Sequence, residues 1–222
     1  MEQEKIKQNL DFFNQGSDEW KKNRRSLFTG SEIENICKPK GLGATGETYI
    51  FDKIAESLTP AEFDHNFETS ATKWGTDNEP LAVHVHEKRS NSMTEEIGFQ
   101  VHSELLYLGA SPDRKVFRNG KVGVLETKCP YEGKNHVKHM MIDSVEHFKA
   151  EFPKYYWQTV TEYICTPDAT FVDFVSFDPR MAKKYRYFCF TFVPSEEDQQ
   201  FVIDRAIEAR KRYDEIMQQI SK

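Results

Sequence analysis

The chain has 222 residues, of which 38% are hydrophobic, and its formal net charge is −6 at pH 7. This length and apolar content predict a single domain over residues 1–222 and exclude a disordered chain. No run approaches the roughly 20 apolar residues that cross a bilayer, and the start MEQEKIKQNLDFF lacks the features of a secretion signal. We therefore expect a cytoplasmic protein with no membrane contact. The acidic balance disfavours broad charge attraction to nucleic acid.

The first elements in chain order are predicted to be helices. Residues 31–34 (SEIE) match a capping box in which Ser31 is the N-cap of a short helix. Apolar residues at helical spacing then predict helices over about 45–57 and 71–88.

The middle of the chain changes to patterns typical of strands. Residues 97–108 (IGFQVHSELLYL) and 122–128 (VGVLETK) are short runs of aliphatic and aromatic residues, separated by turn-like SPDR and RNGK segments. Helices around such a small central mixed β-sheet predict an α/β fold. The elements predicted after Pro130 are two helices at 134–149 and 154–165, two strands at 170–177 and 185–193, and a final helix with the apolar stripe Val202, Ala206, Ala209, Tyr213, Ile216 and Ile220.

The segment GASPDRKVFRNGKVGVLETKCP, residues 109–130, carries the candidate chemistry. Side chains of a strand alternate between its two faces, so Glu126 and Lys128 point to the same side. Asp113 is expected at the end of the preceding strand, one hairpin away, where its carboxylate can meet that of Glu126. Two carboxylates with water and phosphate oxygens suit Mg²⁺, and a lysine ammonium can stabilise charge on a phosphate.

The alternative is a surface hairpin with a cross-strand ion pair. An E-x-K pattern alone is weak evidence, because Glu and Lys alternate by chance on many solvated strands. A solvated face would not usually place Val122 and Val124 on the same side as Glu126 and Lys128, however. This pattern favours the metal-site interpretation.

GASPDR followed by LETKCP resembles the PD-(D/E)xK nuclease superfamily, in particular the lambda exonuclease group of phage recombination nucleases, also called YqaJ-like viral recombinases. Other segments resemble motifs of that group in the same order, over roughly residues 17–190. The sequence departs from the group's usual residues at Gly30, Arg114 and Thr127 without losing a catalytic group. The similar segments are WKKNRRSLFTGS from Trp20, WGTDNE ending at Glu79, YWQTVTEY with Gln158, and FDPRM from Phe177.

The resemblance implies a restriction-endonuclease-like core and a set of site residues. Asp113, Glu126 and the main-chain carbonyl of Thr127 would bind the metal, Lys128 would be the catalytic lysine, and Glu79 and Gln158 would complete the catalytic set. Without the family, Glu79 is an acid on a helix, for which a solvated charge is the ordinary interpretation.

The resemblance also implies a pocket for a 5′-phosphate, formed by Arg24, Ser31, Thr29, Ser111 and Lys134. A helix N-cap at Ser31 would present free N–H groups to an anion, and a guanidinium can hold two phosphate oxygens. The alternative is that Ser31 only caps its helix while Arg24 pairs with an acid such as Glu32.

The activity implied is a 5′-to-3′ exonuclease that uses Mg²⁺, with Mn²⁺ as a substitute, and digests one strand of linear duplex DNA. The remaining 3′ single strand would pass to a single-strand annealing protein. A homotrimer that receives DNA ends and an origin in a phage or prophage are implied as well. The rival hypotheses are a sequence-specific or structure-specific endonuclease on the same fold, and a DNA-binding module with a decayed site.

The histidines and cysteines offer competing interpretations. His84 and His86 diverge on a helix with no third ligand nearby in sequence, so we expect surface or partly buried side chains. His136 and His139 either face DNA or belong to the core, and a solvated or core role is preferred. The four widely spaced cysteines are expected to be reduced and to lie in or near the core: Cys37, Cys129, Cys165 and Cys189.

Overall fold

The structure is a computed structural model that describes residues 24–60 and 69–222. Labels below count elements within these residues. Apart from a six-residue 3₁₀-helix, Gly30–Asn35, the helices are α1 Gly43–Leu58, α2 Ser70–Ser90, α3 Gly133–His139, α4 Val145–Glu151, α5 Pro153–Cys165 and α6 Glu196–Ile220. The strands are β1 Phe28–Thr29, β2 Met93–Glu95, β3 Gln100–Val101, β4 Leu108–Ala110, β5 Arg114–Arg118, β6 Lys121–Lys128, β7 Ala169–Phe177 and β8 Tyr187–Phe192.

The main sheet has five strands in the order β2-β5-β6-β7-β8. The pair β6 and β7 is parallel, whereas the other neighbours in this sheet are antiparallel. A parallel pair needs a long crossover, and here α3, α4 and α5 supply it. The predicted α/β fold with a small mixed sheet and flanking helices is confirmed.

The two faces of β6 pack against different parts of the core. Val124 belongs to the larger hydrophobic cluster, which also contains residues of α1, α5 and α6, whereas Leu125 packs with Val116, Phe171 and Val175. This division follows the alternation read from the sequence. The stripe of the last helix, from Val202 to Ile216, lies in the larger cluster.

A second sheet of three short strands has the order β1-β4-β3. Strand β1 runs parallel to β4, and β3 runs antiparallel to it. Gly109 in β4 lies so close to Phe99 that an added Cβ would come within 2.4 Å of its ring. Gly30 is similarly close to β4, since an added Cβ would lie 3.2 Å from that of Ala110, so the segment before Asp113 lies against the 3₁₀-helix that follows β1.

The capping box predicted at Ser31 is wrong. The segment forms a 3₁₀-helix with Thr29 at its N-cap, and no side chain caps its backbone. Thr29 instead directs its hydroxyl towards a carboxylate oxygen of Glu32 at 3.4 Å. A six-residue 3₁₀-helix has none of the long aligned dipole on which the predicted anion site at Ser31 relied.

The strand-like run predicted over 97–108 is present only in part, as β3 and the start of β4 with a turn between them. The ring nitrogen Nδ1 of His102 accepts backbone N–H bonds from Glu104 and Leu105, at 3.2 and 3.1 Å. Because these two N–H groups are bonded to a side chain, they cannot pair with a neighbouring strand, and the backbone forms a turn here.

Two further differences concern element boundaries and type. The helix predicted over 134–149 is divided into α3 and α4, because Ser144 caps a new helix by accepting the backbone N–H of His147. Strands β1, β2 and β5 were not predicted. The elements predicted at 45–57, 71–88, 154–165, 170–177 and 185–193 are present with boundaries that differ by a few residues. Within the described residues, no helix is long and apolar enough to span a membrane.

Candidate active site

The hairpin of β5 and β6 positions the two acids singled out in the sequence. Asp113 directly precedes β5 rather than ending an earlier strand, and its backbone N–H donates to the carbonyl of Leu125 at 3.0 Å. Its carboxylate accepts the N–H of Thr127 at 2.6 Å. Asp113 is therefore fixed against the end of β6 that carries Glu126, and both side chains are buried.

Lys128 lies over Glu126 and forms an ion pair with its Oε1. The ammonium also reaches Oε1 of Gln158 at 3.5 Å and lies 5.0 Å from the centre of the Tyr155 ring. Burial by itself would lower the pKa of Lys128, but the negative charges of Glu126 and Asp113 hold the pKa above its usual value. The side chain is therefore a cation in the pH range of ordinary enzymes.

The acids oppose one another's ionisation. Burial raises the pKa of Asp113 well above its ordinary value, and repulsion by Glu126 and Glu79 adds to this effect. Glu79 on α2 also has a raised pKa because of burial, although Arg114 lowers it. Full ionisation of all these acids is therefore unfavourable unless further positive charge is bound beside them.

Arg114, a departure from the family pattern, contacts this group from the side. One guanidinium nitrogen lies 3.4 Å from Oε1 of Glu79, and another lies 3.4 Å from Oε1 of Glu96. Arg114 also donates to the main-chain carbonyl of Asp113 at 2.5 Å. It therefore joins the helix that carries Glu79 to the segment that carries Asp113.

Glu162 is a further acid of this site that sequence reasoning missed. It is 1% exposed, and its Oε1 accepts the amide N–H of Gln158 at 2.9 Å. Burial raises its pKa well above the usual value, and Glu126 raises it further. The available signal was its spacing, since residues four apart on a helix share a face. Gln158 and Glu162 therefore form one unit on α5.

A cavity of about 180 Å³, here called the acidic cavity, is lined both by Asp113, Glu126 and Lys128 and by most residues of the predicted phosphate pocket. Arg24 reaches Ser31 at 3.5 Å, and Ser111 has a buried hydroxyl without a hydrogen-bond partner in the described structure. Lys134 does not line the cavity and instead pairs with Glu132 at 2.9 Å. The lining residues are Arg24, Thr29, Gly30, Ser31, Phe99, Ser111, Asp113, Glu126, Lys128, Gln158 and Glu162.

The residues of the acidic cavity fit a divalent cation. Oε2 of Glu126 is buried and has no hydrogen-bond partner in the described structure. A buried carboxylate oxygen without a partner is costly, and Asp113 beside it increases the repulsion. Hard oxygen ligands of this kind are those that Mg²⁺ prefers. The main-chain carbonyl of Thr127 belongs to the same strand end.

His86 has partners that the sequence did not indicate, and the expectation of a surface or partly buried side chain is wrong for this residue. It is fully buried and lies with Asp173 and Cys189 in a group whose possible ligand atoms are within 4.8 Å of one another. Arg118 donates two hydrogen bonds to Asp173, at 2.8 and 3.1 Å. An arginine on the only carboxylate opposes a metal ion, and we assign this group to the hydrogen-bonded core.

His136 and His139 are both buried, as the core interpretation predicts. Each directs Nδ1 to the hydroxyl of Ser176, at 2.7 and 2.8 Å respectively. Burial lowers the pKa of His139 to about 4, which keeps its ring neutral. Among the cysteines, Cys37 and Cys165 are buried, whereas Cys129 and Cys189 are half-buried.

Comparison with solved structures places this fold among exonucleases. The alkaline exonuclease LHK-Exo from Laribacter hongkongensis is 24% identical with a TM-score of 0.71, over 92% of this chain and 98% of that one. Its complex with dAMP is 23% identical with a TM-score of 0.73 and the same coverage. A phage-related exonuclease from Haemophilus somnus 129PT is 13% identical with a TM-score of 0.70, over 87% of this chain and 96% of that one. The fold is thus of the PD-(D/E)xK type.

The sequence comparison gives the family. The YqaJ-like viral recombinase domain matches residues 19–169, which is more than half of the chain. The chain therefore belongs to the YqaJ-like viral recombinase family, and the resemblance noted from its motifs is confirmed. Trp20, in the first of those motifs, lies outside the described residues. No curated protein sequence matches this chain.

Proposed function

We propose that this protein is a Mg²⁺-dependent DNA exonuclease that hydrolyses one strand of duplex DNA from its 5′ end. The observation that carries the proposal is the group formed by the buried acids Asp113 and Glu126 with the half-buried Lys128, in a cavity that also contains Arg24 and Ser111. Membership of the recombinase family and the presence of exonucleases among its structural neighbours support it.

In this proposal, Asp113, Glu126 and the carbonyl of Thr127 hold the metal ion, with Mn²⁺ able to replace Mg²⁺. When bound, the ion lowers the pKa of a water molecule and neutralises charge on the phosphate. Lys128 stays protonated and stabilises negative charge on the phosphate oxygens. Gln158 offers its amide oxygen, which also faces the Lys128 ammonium, for orienting the attacking water, and an N–H bond to Glu162 holds the amide in place.

Arg24, Ser31, Thr29 and Ser111 are proposed to hold the 5′-phosphate of the strand end. The supporting observation is the buried Ser111 hydroxyl, which has no partner in the described structure and lines the same cavity as Arg24. Its position suits a hydrogen bond to a phosphate oxygen. Lys134 is exposed outside this cavity, and we propose it only as a contact to the DNA backbone.

We further propose a homotrimer that encloses the duplex and releases a 3′ single strand to an annealing protein. The description of the family as a viral recombinase domain supports a phage or prophage origin and a role in recombination. The dAMP complex of LHK-Exo is consistent with mononucleotides as the product class.

The test is digestion of linear and closed circular duplex DNA by the purified protein with Mg²⁺. We expect linear DNA with 5′-phosphates to be degraded to mononucleotides while circular DNA stays intact. Cutting of the circle would instead establish the endonuclease alternative. Asp113→Asn and Glu126→Gln should each reduce the rate by about a hundredfold or more, because loss of a ligand charge costs several kcal/mol of transition-state stabilisation.

The matched control is Asp168→Asn, which changes an exposed acid that pairs with Lys115 and does not line the acidic cavity. It should leave the rate unchanged. Full activity of a folded Asp113→Asn variant would end the metal-site proposal. Ca²⁺ should permit binding of DNA with little cleavage, since its looser coordination positions water poorly.

A further inference from the structure

A second cavity adjoins the acidic cavity on the other side of Lys128. We call it the aromatic cavity; it measures about 450 Å³, within the size range of small-molecule sites. Lys128 is the residue that the two cavities share. The residues that line the aromatic cavity are Ala71, Lys128, Cys129, Pro130, Tyr131, Glu132, Asn135 and Tyr155.

The aromatic ring of Tyr131 is exposed yet held in place. Tyr131 is 50% exposed, and its ring meets the Trp74 ring edge to face at 6.2 Å. Arg180 donates to the main-chain carbonyls of Pro130 and Tyr131, at 3.3 and 2.9 Å. The chain at Tyr131 is thus fixed before any ligand arrives.

Arg180 is itself fixed by its neighbours. Its guanidinium donates to both carboxylate oxygens of Asp178 at 2.8 Å, and it lies 4.4 Å from the centre of the Trp74 ring. A rigid exposed aromatic residue gives contact area at low entropic cost. These contacts keep Tyr131 available for stacking.

The charges around the aromatic cavity favour an uncharged planar ligand. Its two charged lining residues are already paired, Lys128 with Glu126 and Glu132 with Lys134. Asn135 adds an amide that can donate to and accept from the edge of a ring. A nucleobase has this combination of an aromatic face and a polar edge, whereas a phosphate would be repelled by the carboxylate of Glu132.

We propose that the aromatic cavity binds a nucleobase of the cut strand, which stacks on Tyr131. The proposal rests on the proposed nuclease function. If the 5′-phosphate lies with Arg24 in the acidic cavity and the cut occurs beside Lys128, the strand continues into the aromatic cavity. The stacked base therefore belongs to the second nucleotide, which becomes the new 5′ end after each cut.

The experiment uses 5′-phosphorylated duplexes with 2-aminopurine at either the first or the second nucleotide, bound to the full chain in Ca²⁺. Stacking on an aromatic ring quenches the fluorescence of 2-aminopurine. We expect stronger quenching at the second position for the wild type and for Tyr131→Phe. Tyr131→Leu should lose this quenching and bind DNA about ten- to a hundredfold more weakly, in line with stacking of one base.

Tyr185→Leu is the matched control, because Tyr185 is equally exposed, at 49%, and does not line the aromatic cavity. It should keep both the quenching and the affinity. Bound DNA with equal quenching at both positions, or unchanged quenching in Tyr131→Leu, would overturn the inference while leaving the nuclease proposal intact. Failure of the wild type to bind or cleave DNA at all would instead count against the nuclease proposal.

Discussion

Replacing Asp173 by Ala should destabilise the fold strongly, because the substitution leaves several buried donors without an acceptor. Asp173 is fully buried on β7, where it accepts from Arg118, from the Thr191 hydroxyl at 2.5 Å, and faces Nε2 of His86 at 3.3 Å. Breaking a buried charged pair costs roughly 3–5 kcal/mol. Arg118 keeps 19% of its side chain exposed and can turn towards water, so we expect about 3 kcal/mol.

Urea unfolding followed by circular dichroism measures this loss. With a slope of about 2 kcal/mol per molar urea, the midpoint should fall by roughly 1.5 M. The matched control is Asp168→Ala, whose carboxylate pairs with Lys115 at 2.8 Å and is half exposed. An exposed pair contributes about 0–1 kcal/mol, so the midpoint should hardly move. Equal shifts for the two variants would refute the assignment of Asp173 to a buried network.

Three further outcomes are expected. Burial opposes ionisation of Asp173, but hydrogen bonds from His86, Thr191 and Arg118 lower its pKa below the usual 3.8. The ionised carboxylate therefore stabilises the fold above pH 3.8, and this stabilisation is lost as the pH falls through the lowered pKa. In acid, the urea midpoint of the wild type should therefore approach that of Asp173→Asn. Arg24→Ala should slow digestion of 5′-phosphorylated ends about tenfold or more and leave hydroxyl ends nearly unchanged, and an equal loss on both would assign Arg24 to folding or general DNA contact. Gly123→Ala should cost about 1–3 kcal/mol in urea unfolding, because the new Cβ would come within 2.3 Å of the Phe171 ring; an unchanged midpoint would show that Phe171 moves freely.

The sequence predicted the central strand and its chemistry because that information is local. Val124, Glu126 and Lys128 alternate with Gly123, Leu125 and Thr127, and each set occupies its expected face of β6. Strand β5 escaped prediction because its pattern RKVFR contains only one fully buried position, Val116. A short strand with charged neighbours looks like a loop until its partner strand is known.

The features of the structure that the sequence did not predict depend on tertiary contacts. In the sequence, Glu162 cannot be distinguished from a solvated acid on a helix, because its carboxylate is buried only where α5 packs over the end of β6. His86 contacts Asp173 and Tyr187, which lie on strands distant in sequence, and the residue spacing along α2 does not predict these contacts. The ring of His102 ends a strand by accepting the backbone N–H groups of Glu104 and Leu105, an outcome that apolar periodicity does not encode.

The crossover between β6 and β7 determines when the candidate site comes into existence. Glu126 and Lys128 end β6, but Gln158 and Glu162 reach them only after α3, α4 and α5 have brought the chain back to pair β7 beside β6. During synthesis, a chain that stops before this return has the acids without the helix that covers them. The complete candidate site should therefore form late in folding.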